Sequence, residues 1–262
     1  HLLYSRFWHK FLFDLGVVAC GEPYSKRTSH GMILGEDGQK MSKSRGNVVN
    51  PDEIVTDYGA DTMRLYEMFI GDFEKSAPWN PGSVKGCKHF LDRVWALREI
   101  LTDGGRYSPA LETSFHKTIK KVSEDIEQMK FNTAIAALMS LLNEIADRKT
   151  INRAEYKAFI TLLSPFAPHI CEELWSLLGE NGFVSIAPWI GYDESKTADR
   201  RIEMVLQING KVRSRLMVDA GLPQEAMLQQ AKADPKIAGG LQGKTLIKEI
   251  VVPGKLVNWV VR

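Results

Sequence analysis

The chain has 262 residues, 44% of them hydrophobic and 25% charged, with a formal net charge of +2. That length allows two or three domains of ordinary globular composition. It excludes a membrane span, since no apolar run approaches the roughly 20 residues required. No secretory leader is expected from the aromatic, basic start, and a disulfide framework or zinc site is disfavoured, because Cys20, Cys87 and Cys171 stand far apart with no C-x-x-C pair.

In chain order, Leu3, Phe7 and Phe11 recur at four-residue spacing, with Trp8, Leu12 and Leu15 widening the stripe. The spacing predicts a core helix stopped by Gly16. A chain opening inside such a helix without methionine reads as a piece of a longer protein. Met32-Ile33-Leu34 predicts a short buried strand, and Gly35-Glu36-Asp37-Gly38 a turn. Lys40-Met41-Ser42-Lys43-Ser44 follows, then Arg45-Gly46. Two ammonium groups three residues apart, with hydroxyls and glycine-freed amides beside them, suit a phosphate. Asn50, Pro51 and Glu53 have the residue types of an N-cap, a first helical position and a capping box, which predicts a helix from Pro51 to Tyr58. Asp61 is expected to cap the next, with Leu65, Tyr66 and Phe69 on its apolar side.

Residues 73–190 read as an antiparallel helix bundle. The stripes are Phe90/Val94/Leu97/Leu101, Phe115/Ile119/Val122/Ile126/Met129, Phe131/Ile135/Leu138/Leu142/Ile145, Tyr156/Phe159/Ile160/Leu163 and Ile170/Leu174/Leu177. A polar linker is expected over 191–198. Beyond it, 202–209 and 211–218 read as strands meeting at Gly210, and 223–241 as helix broken near Asp234-Pro235. Two further strands, 245–251 and 255–261, turn at Pro253-Gly254, giving a ββαββ domain over 199–262. This last segment carries eleven basic and six acidic residues, a footprint that suits nucleic acid. Lys211, Arg213 and Arg215 alternate along one strand and are expected on one face, about 13 Å long at about 3.3 Å per residue, with Val212, Leu216 and Val218 on the core side. The alternative is the solvated face of an antiparallel strand, but three cations without an acid between them exceed what solvation requires, so they are expected to contact nucleic-acid phosphates. Lys117, Lys120 and Lys121, and Arg148, Lys149 and Arg153, form smaller basic groups that solvation explains equally well.

KMSKS resembles the second signature of class I aminoacyl-tRNA synthetases. The flanks Gly31–Leu34, Asn47–Val55 and Tyr58–Tyr66 resemble the bacterial leucyl-tRNA synthetase family, as do His1–Trp8, Gly86–Trp95 with Phe90-Leu91-Asp92-Arg93-Val94-Trp95, and the tail Gln207–Arg213. The likeness runs the whole length of the chain. It implies a multidomain, mainly α fold with α/β parts: over 1–72 the end of a Rossmann-like catalytic domain with its KMSKS module, over 73–190 an anticodon-binding type of bundle, and over 199–262 a tRNA-contacting domain. It implies a cytoplasmic enzyme that uses ATP, with Mg2+, to join leucine to tRNA(Leu). Lys40, Met41, Ser42, Lys43 and Ser44 would hold ATP, and Lys40 and Lys43 would be catalytic, with Lys43 the direct contact. The resemblance also places His1 in a leucine pocket, though a frayed end or tag remnant explains that histidine as well. His9, His30, His89, His116 and His169 show no metal-ligand spacing, and no metal site is expected. No His-Ile-Gly-His string occurs, so half of the nucleotide site and the editing domain are not in this sequence. The piece should therefore depend on the rest of a synthetase and be inactive alone. The alternatives are a non-catalytic tRNA-binding module, the small subunit of a split synthetase, or a valyl or isoleucyl enzyme.

Overall fold

A computed structural model describes residues 2–198, 201–219, 222–252 and 255–262. The chain forms two compact units, one with the segments up to Tyr107 and Thr118–Gly191, the other with Ser108–Lys117 and Tyr192–Arg262. Among the described residues no helix is long and apolar enough to cross a membrane.

The first unit opens with α1 (Tyr4–Asp14). Gly16 ends it at φ +71°, its N–H donating to the Phe13 carbonyl while Val17 N–H reaches back to Leu12. This is a left-handed C-terminal turn that favours glycine. The expected apolar stripe exists but is not buried: Leu3 and Phe7 are each 71% exposed and Trp8 59%. The polar side is the one that docks. Glu22 pairs with Arg6 at 2.7 Å and Lys10 at 2.8 Å, and those cations hold its carboxyl down to about 2. No described apolar surface covers the stripe, so the periodicity set the helix but not its burial.

Next, β1 (Ile33–Leu34) pairs in parallel with β2 (Ala77–Pro78), and α2 (Pro51–Tyr58) and α3 (Ala60–Phe69) lie between them in sequence. Ile33 and Leu34 are only half-buried and Met32 is exposed, so this is not the buried strand expected. Gly31 is required here, because a Cβ on it would lie 1.9 Å from the Lys75 carbonyl oxygen. Asn50 caps α2 by accepting from Asp52 N–H at 3.1 Å; the bond goes to the second helical residue rather than to Glu53. Asp61 does not cap its own helix either. It lies inside α3, and its buried carboxylate accepts from the Ile170 N–H at 2.7 Å, the His169 N–H at 3.3 Å and His169 Nδ1 at 2.8 Å. Those amides are orphan donors of another helix, so the cap is supplied through space.

The remaining helices of this unit are α4 (Pro81–Ala96), α5 (Glu112–Glu127), which both units share, α6 (Phe131–Arg148), α7 (Arg153–Leu163) and α8 (Pro168–Leu177). Between them, β3 (Leu101–Thr102) pairs in parallel with β4 (Ile151–Asn152). α3 lies against α4, α6 and α8, and α7 against α6 and α8. Leu65, Val94, Ile135, Leu138, Leu142 and Phe159 are fully buried among them. Tyr156 Oη donates to the Val94 carbonyl at 2.9 Å inside this core, and burial pushes its phenol well above the usual range. Three stripe positions fall elsewhere. Met129 lies past the end of α5 at φ +57°. Leu101 leaves the helix for β3, and Leu177 at the end of α8 is exposed while Leu178 is buried.

In the second unit, β5 (Arg201–Ile208) and β6 (Lys211–Asp219) form one antiparallel hairpin, and β7 (Leu246–Val252) and β8 (Leu256–Val261) another. A parallel β5–β8 contact joins them in the order β6-β5-β8-β7. The turn expected at Pro253-Gly254 lies outside the described residues. Two helices, α9 (Gln224–Ala233) and α10 (Pro235–Leu241), connect the hairpins, and the Asp234 side chain caps the second through the Lys236 and Ile237 amides. Met204, Leu206, Ile208, Val257 and Trp259 meet Met227, Ala231 and Ile237 in its core. The segment expected as a linker is fastened: Asp193 N–H donates to His116 Nδ1 at 3.1 Å, and Lys196 pairs with Glu112 at 2.7 Å.

Candidate functional site

The lysine loop hangs from β1. Leu34 and Lys40 form an antiparallel bridge, and Gly35 N–H donates to the Gln39 carbonyl at 2.8 Å. Asp37 fixes the turn by accepting from Gln39 N–H at 3.0 Å. That amide, then the side-chain amide of Asn47, hold the Asp37 carboxyl below its ordinary value. Ser42 is extended, Lys43–Arg45 make one 3-10 turn, and Gly46 closes it at φ +68°. The hydroxyls of Ser42 and Ser44 lie 2.9 Å apart. Met41 and Ser42 are half-buried, whereas Lys40, Lys43 and Ser44 are exposed. Two cations thus face water on a short loop whose backbone is held at each end.

The supports run inward from there. Trp79 N–H donates to the Leu34 carbonyl at 2.9 Å, the Trp79 ring meets Tyr66 edge-on at 4.7 Å, and Asn80 N–H donates to Tyr66 Oη at 2.7 Å. The strand that carries the loop is therefore tied to the buried side of α3. On the outgoing side, the Asn50 cap starts α2 four residues after Gly46.

Asn47 is the residue that sequence reading missed. Its Oδ1 accepts from Ser42 N–H at 2.8 Å, and its Nδ2 donates to both Asp37 oxygens at 3.1 and 3.2 Å. The signal was present as a Gly-Asn step closing a turn, but the partner ten residues back is not visible in spacing.

The basic strand is arranged differently from its prediction. Cα pairing runs Val205↔Arg215 and Leu206↔Ser214, then jumps to Gln207↔Val212 and Ile208↔Lys211. Arg213 is the extra residue of a β-bulge, and the inside–outside alternation restarts after it. Lys211 stands opposite buried Ile208, whereas Val212 stands opposite Gln207 on the outer side and is 54% exposed. The three cations are all exposed but do not share one face. Arg215 is also engaged, pairing with Glu203 on the neighbouring strand at 2.8 Å.

The smaller basic groups are paired in part. Lys121 contacts Asp125 at 2.6 Å, Arg148 contacts Glu144 at 3.3 Å, and Arg153 contacts Glu180 at 3.3 Å. His9 bonds the Cys20 carbonyl at 2.7 Å, the His116 ring accepts from the Asp193 amide, and the His169 ring bonds the Asp61 carboxylate. His1 lies outside the described residues.

Two family models match the chain: tRNA synthetases class I (I, L, M and V) over residues 4–77, and the anticodon-binding domain of tRNA ligase over residues 110–228. A leucine–tRNA ligase of Alkaliphilus oremlandii (strain OhILAs) is 55% identical over all 262 residues, which are 33% of its own length. Among solved structures, the ternary complex of Agrobacterium radiobacter K84 agnB2 LeuRS with tRNA and LeuAMS matches with a TM-score of 0.73 and 31% identity. That match covers 100% of this chain and 37% of the other. The chain thus spans about a third of the length of these relatives. Both family models, the end-to-end identity and the KMSKS loop agree: over its whole length the chain is similar to leucine–tRNA ligases.

Proposed function

We propose that this chain is the part of a leucyl-tRNA synthetase that brings the second ATP-binding signature to leucine activation and then holds tRNA(Leu). The observation that carries the reading is the pair of exposed cations, Lys40 and Lys43, on a loop braced by Asn47 and by the capped start of α2. In the activation step a leucine carboxylate oxygen attacks the α-phosphorus of ATP, forming the acyl phosphate bond as the bond to pyrophosphate breaks. Negative charge grows on the leaving oxygens. The Lys43 ammonium offers donors to them, Lys40 adds a second positive charge, and the Ser42 and Ser44 hydroxyls complete the anion cradle. Mg2+ enters with the nucleotide. In this reading 1–72 ends a Rossmann-like catalytic domain, 73–190 is an anticodon-binding bundle, 191–198 links it to the tail, and 199–262 contacts tRNA through Lys211, Arg213 and Arg215. The enzyme works in the cytoplasm, and His1 belongs to the leucine pocket.

A cation that tightens on the transition state acts on rate rather than on ground-state binding. Lys43→Ala in the complete synthetase should lower the rate of leucyl-adenylate formation by about a hundredfold or more, the scale of a lost electrostatic donor, with leucine affinity little changed. Single-turnover adenylate formation beside equilibrium leucine binding checks this. A loss of leucine affinity at unchanged rate would make the loop a leucine-binding element instead.

A further inference from the structure

The geometry points to Asn47 as a positioning residue for the activation step: with Asp37 it forms a side-chain clamp that fixes the backbone next to Lys43. The inference rests on the reading that Lys43 acts on ATP phosphates. A single amide group does two opposite jobs. Its oxygen takes the Ser42 N–H at 2.8 Å, one residue before Lys43, and its nitrogen donates to the Asp37 carboxylate at 3.1 and 3.2 Å. The same nitrogen lies 3.4 Å from the Lys40 carbonyl. The clamp therefore joins the incoming turn, the first lysine's backbone and the residue before the second lysine, and it closes Lys43-Ser44-Arg45 into a small ring.

The site is shaped for this pair. A Cβ on Gly35 would lie 2.7 Å from Asp37 Oδ1 and 2.9 Å from Asn47 Nδ2, so the glycine backbone forms the floor against which both side chains rest. Asn47 is half-buried, whereas Lys43 beside it is exposed. The arrangement holds the main chain and leaves the ammonium free, which is what a group that must meet a developing charge requires. Asparagine alone among residues of its size offers an acceptor and a two-hydrogen donor on one rigid plane.

Exchanging the two residues provides the test. In Asn47→Asp the carboxylate still accepts from Ser42, but it faces Asp37 at about 3 Å, and like charges there repel. In the double exchange Asp37→Asn/Asn47→Asp, the new amide at 37 donates to the new carboxylate at 47, and both backbone amides keep an acceptor. Leucine-dependent ATP–pyrophosphate exchange would be measured on the complete synthetase as wild type, both single variants and the double exchange, with Lys43→Ala alongside. Hydrogen exchange of the peptide covering residues 37–47 would be followed in the same samples, and peptides elsewhere report intact folding. Asn47→Asp is expected to lower kcat by about ten- to a hundredfold with much smaller changes in KM for ATP and leucine, as a misplaced catalytic group does, and to speed hydrogen exchange in the loop. Asp37→Asn alone should lose less. The double exchange should return both readings to within about threefold of wild type, the margin left for its long Lys40 contact. A double exchange no better than Asn47→Asp in both readings overturns the clamp. Hydrogen exchange restored by the double exchange, with pyrophosphate exchange unmoved by Lys43→Ala, keeps the clamp but overturns its role in the reaction, and the fault then lies with the reading of Lys43.

Discussion

Asp61 and Tyr66 lie on one helix, and each uses its polar atoms on a different element. Asp61 serves the amides that open α8, and Tyr66 takes the amide that opens α4. Side chains of this kind are invisible to local pattern reading, because their partners are 108 and 14 residues away. The thiols divide at the same scale. Cys20 is exposed, while Cys87 and Cys171 are buried. Burial raises the Cys87 thiol from 9.0 to about 12, and it lifts Cys171 well above its ordinary value, with Asp61 and Glu172 adding to the effect. A thiol whose folded pKa is raised favours the folded state fully below pH 9 and loses that advantage as pH climbs from 9 toward 12, because the unfolded chain releases the proton first. In a chromogenic disulfide assay one thiol should therefore react at once and two only on unfolding, and urea midpoints should fall across that alkaline window. Three thiols reacting at one rate in native buffer would contradict the buried assignment.

Helices were legible from a buried apolar stripe or from a cap, either signal being enough. The stripe from Ile135 to Ile145 is buried along its length, and Asn50 with Pro51 opens α2. Legibility failed where burial depends on a partner surface, as on α1, and where backbone register depends on another strand, as at Arg213. Alternation along β6 predicts a single cationic face, but only the pairing with β5 reveals the extra residue. At the site, KMSKS named its lysines directly, whereas Asn47 and Asp37 required the folded hairpin. The bulge changes what the tail should do. If tRNA phosphates meet these cations, Lys211→Ala and Arg213→Ala should each flatten the salt dependence of tRNA binding by about 0.7–0.9 in slope. Arg215→Ala should flatten it less, since Glu203 already neutralises that charge. Filter binding of tRNA(Leu) by the complete synthetase over a range of salt concentrations measures all three. Equal slopes for wild type and all three variants would mark β6 as solvated sheet edge.

Across the whole molecule, the proposed division of labour places activation on the loop of the first unit and tRNA docking on the strands of the second. The 262 residues hold KMSKS without a His-Ile-Gly-His string, and they span about a third of their relatives. The most direct test is a paired assay on the complete synthetase, with leucine-dependent pyrophosphate exchange and tRNA(Leu) charging measured for Lys43→Ala and for the triple variant Lys211→Ala/Arg213→Ala/Arg215→Ala. The account predicts that Lys43→Ala loses both activities, because charging consumes the adenylate, and that the triple variant keeps exchange while charging falls. Full exchange by Lys43→Ala, or an equal loss of exchange and charging in the triple variant, would contradict it.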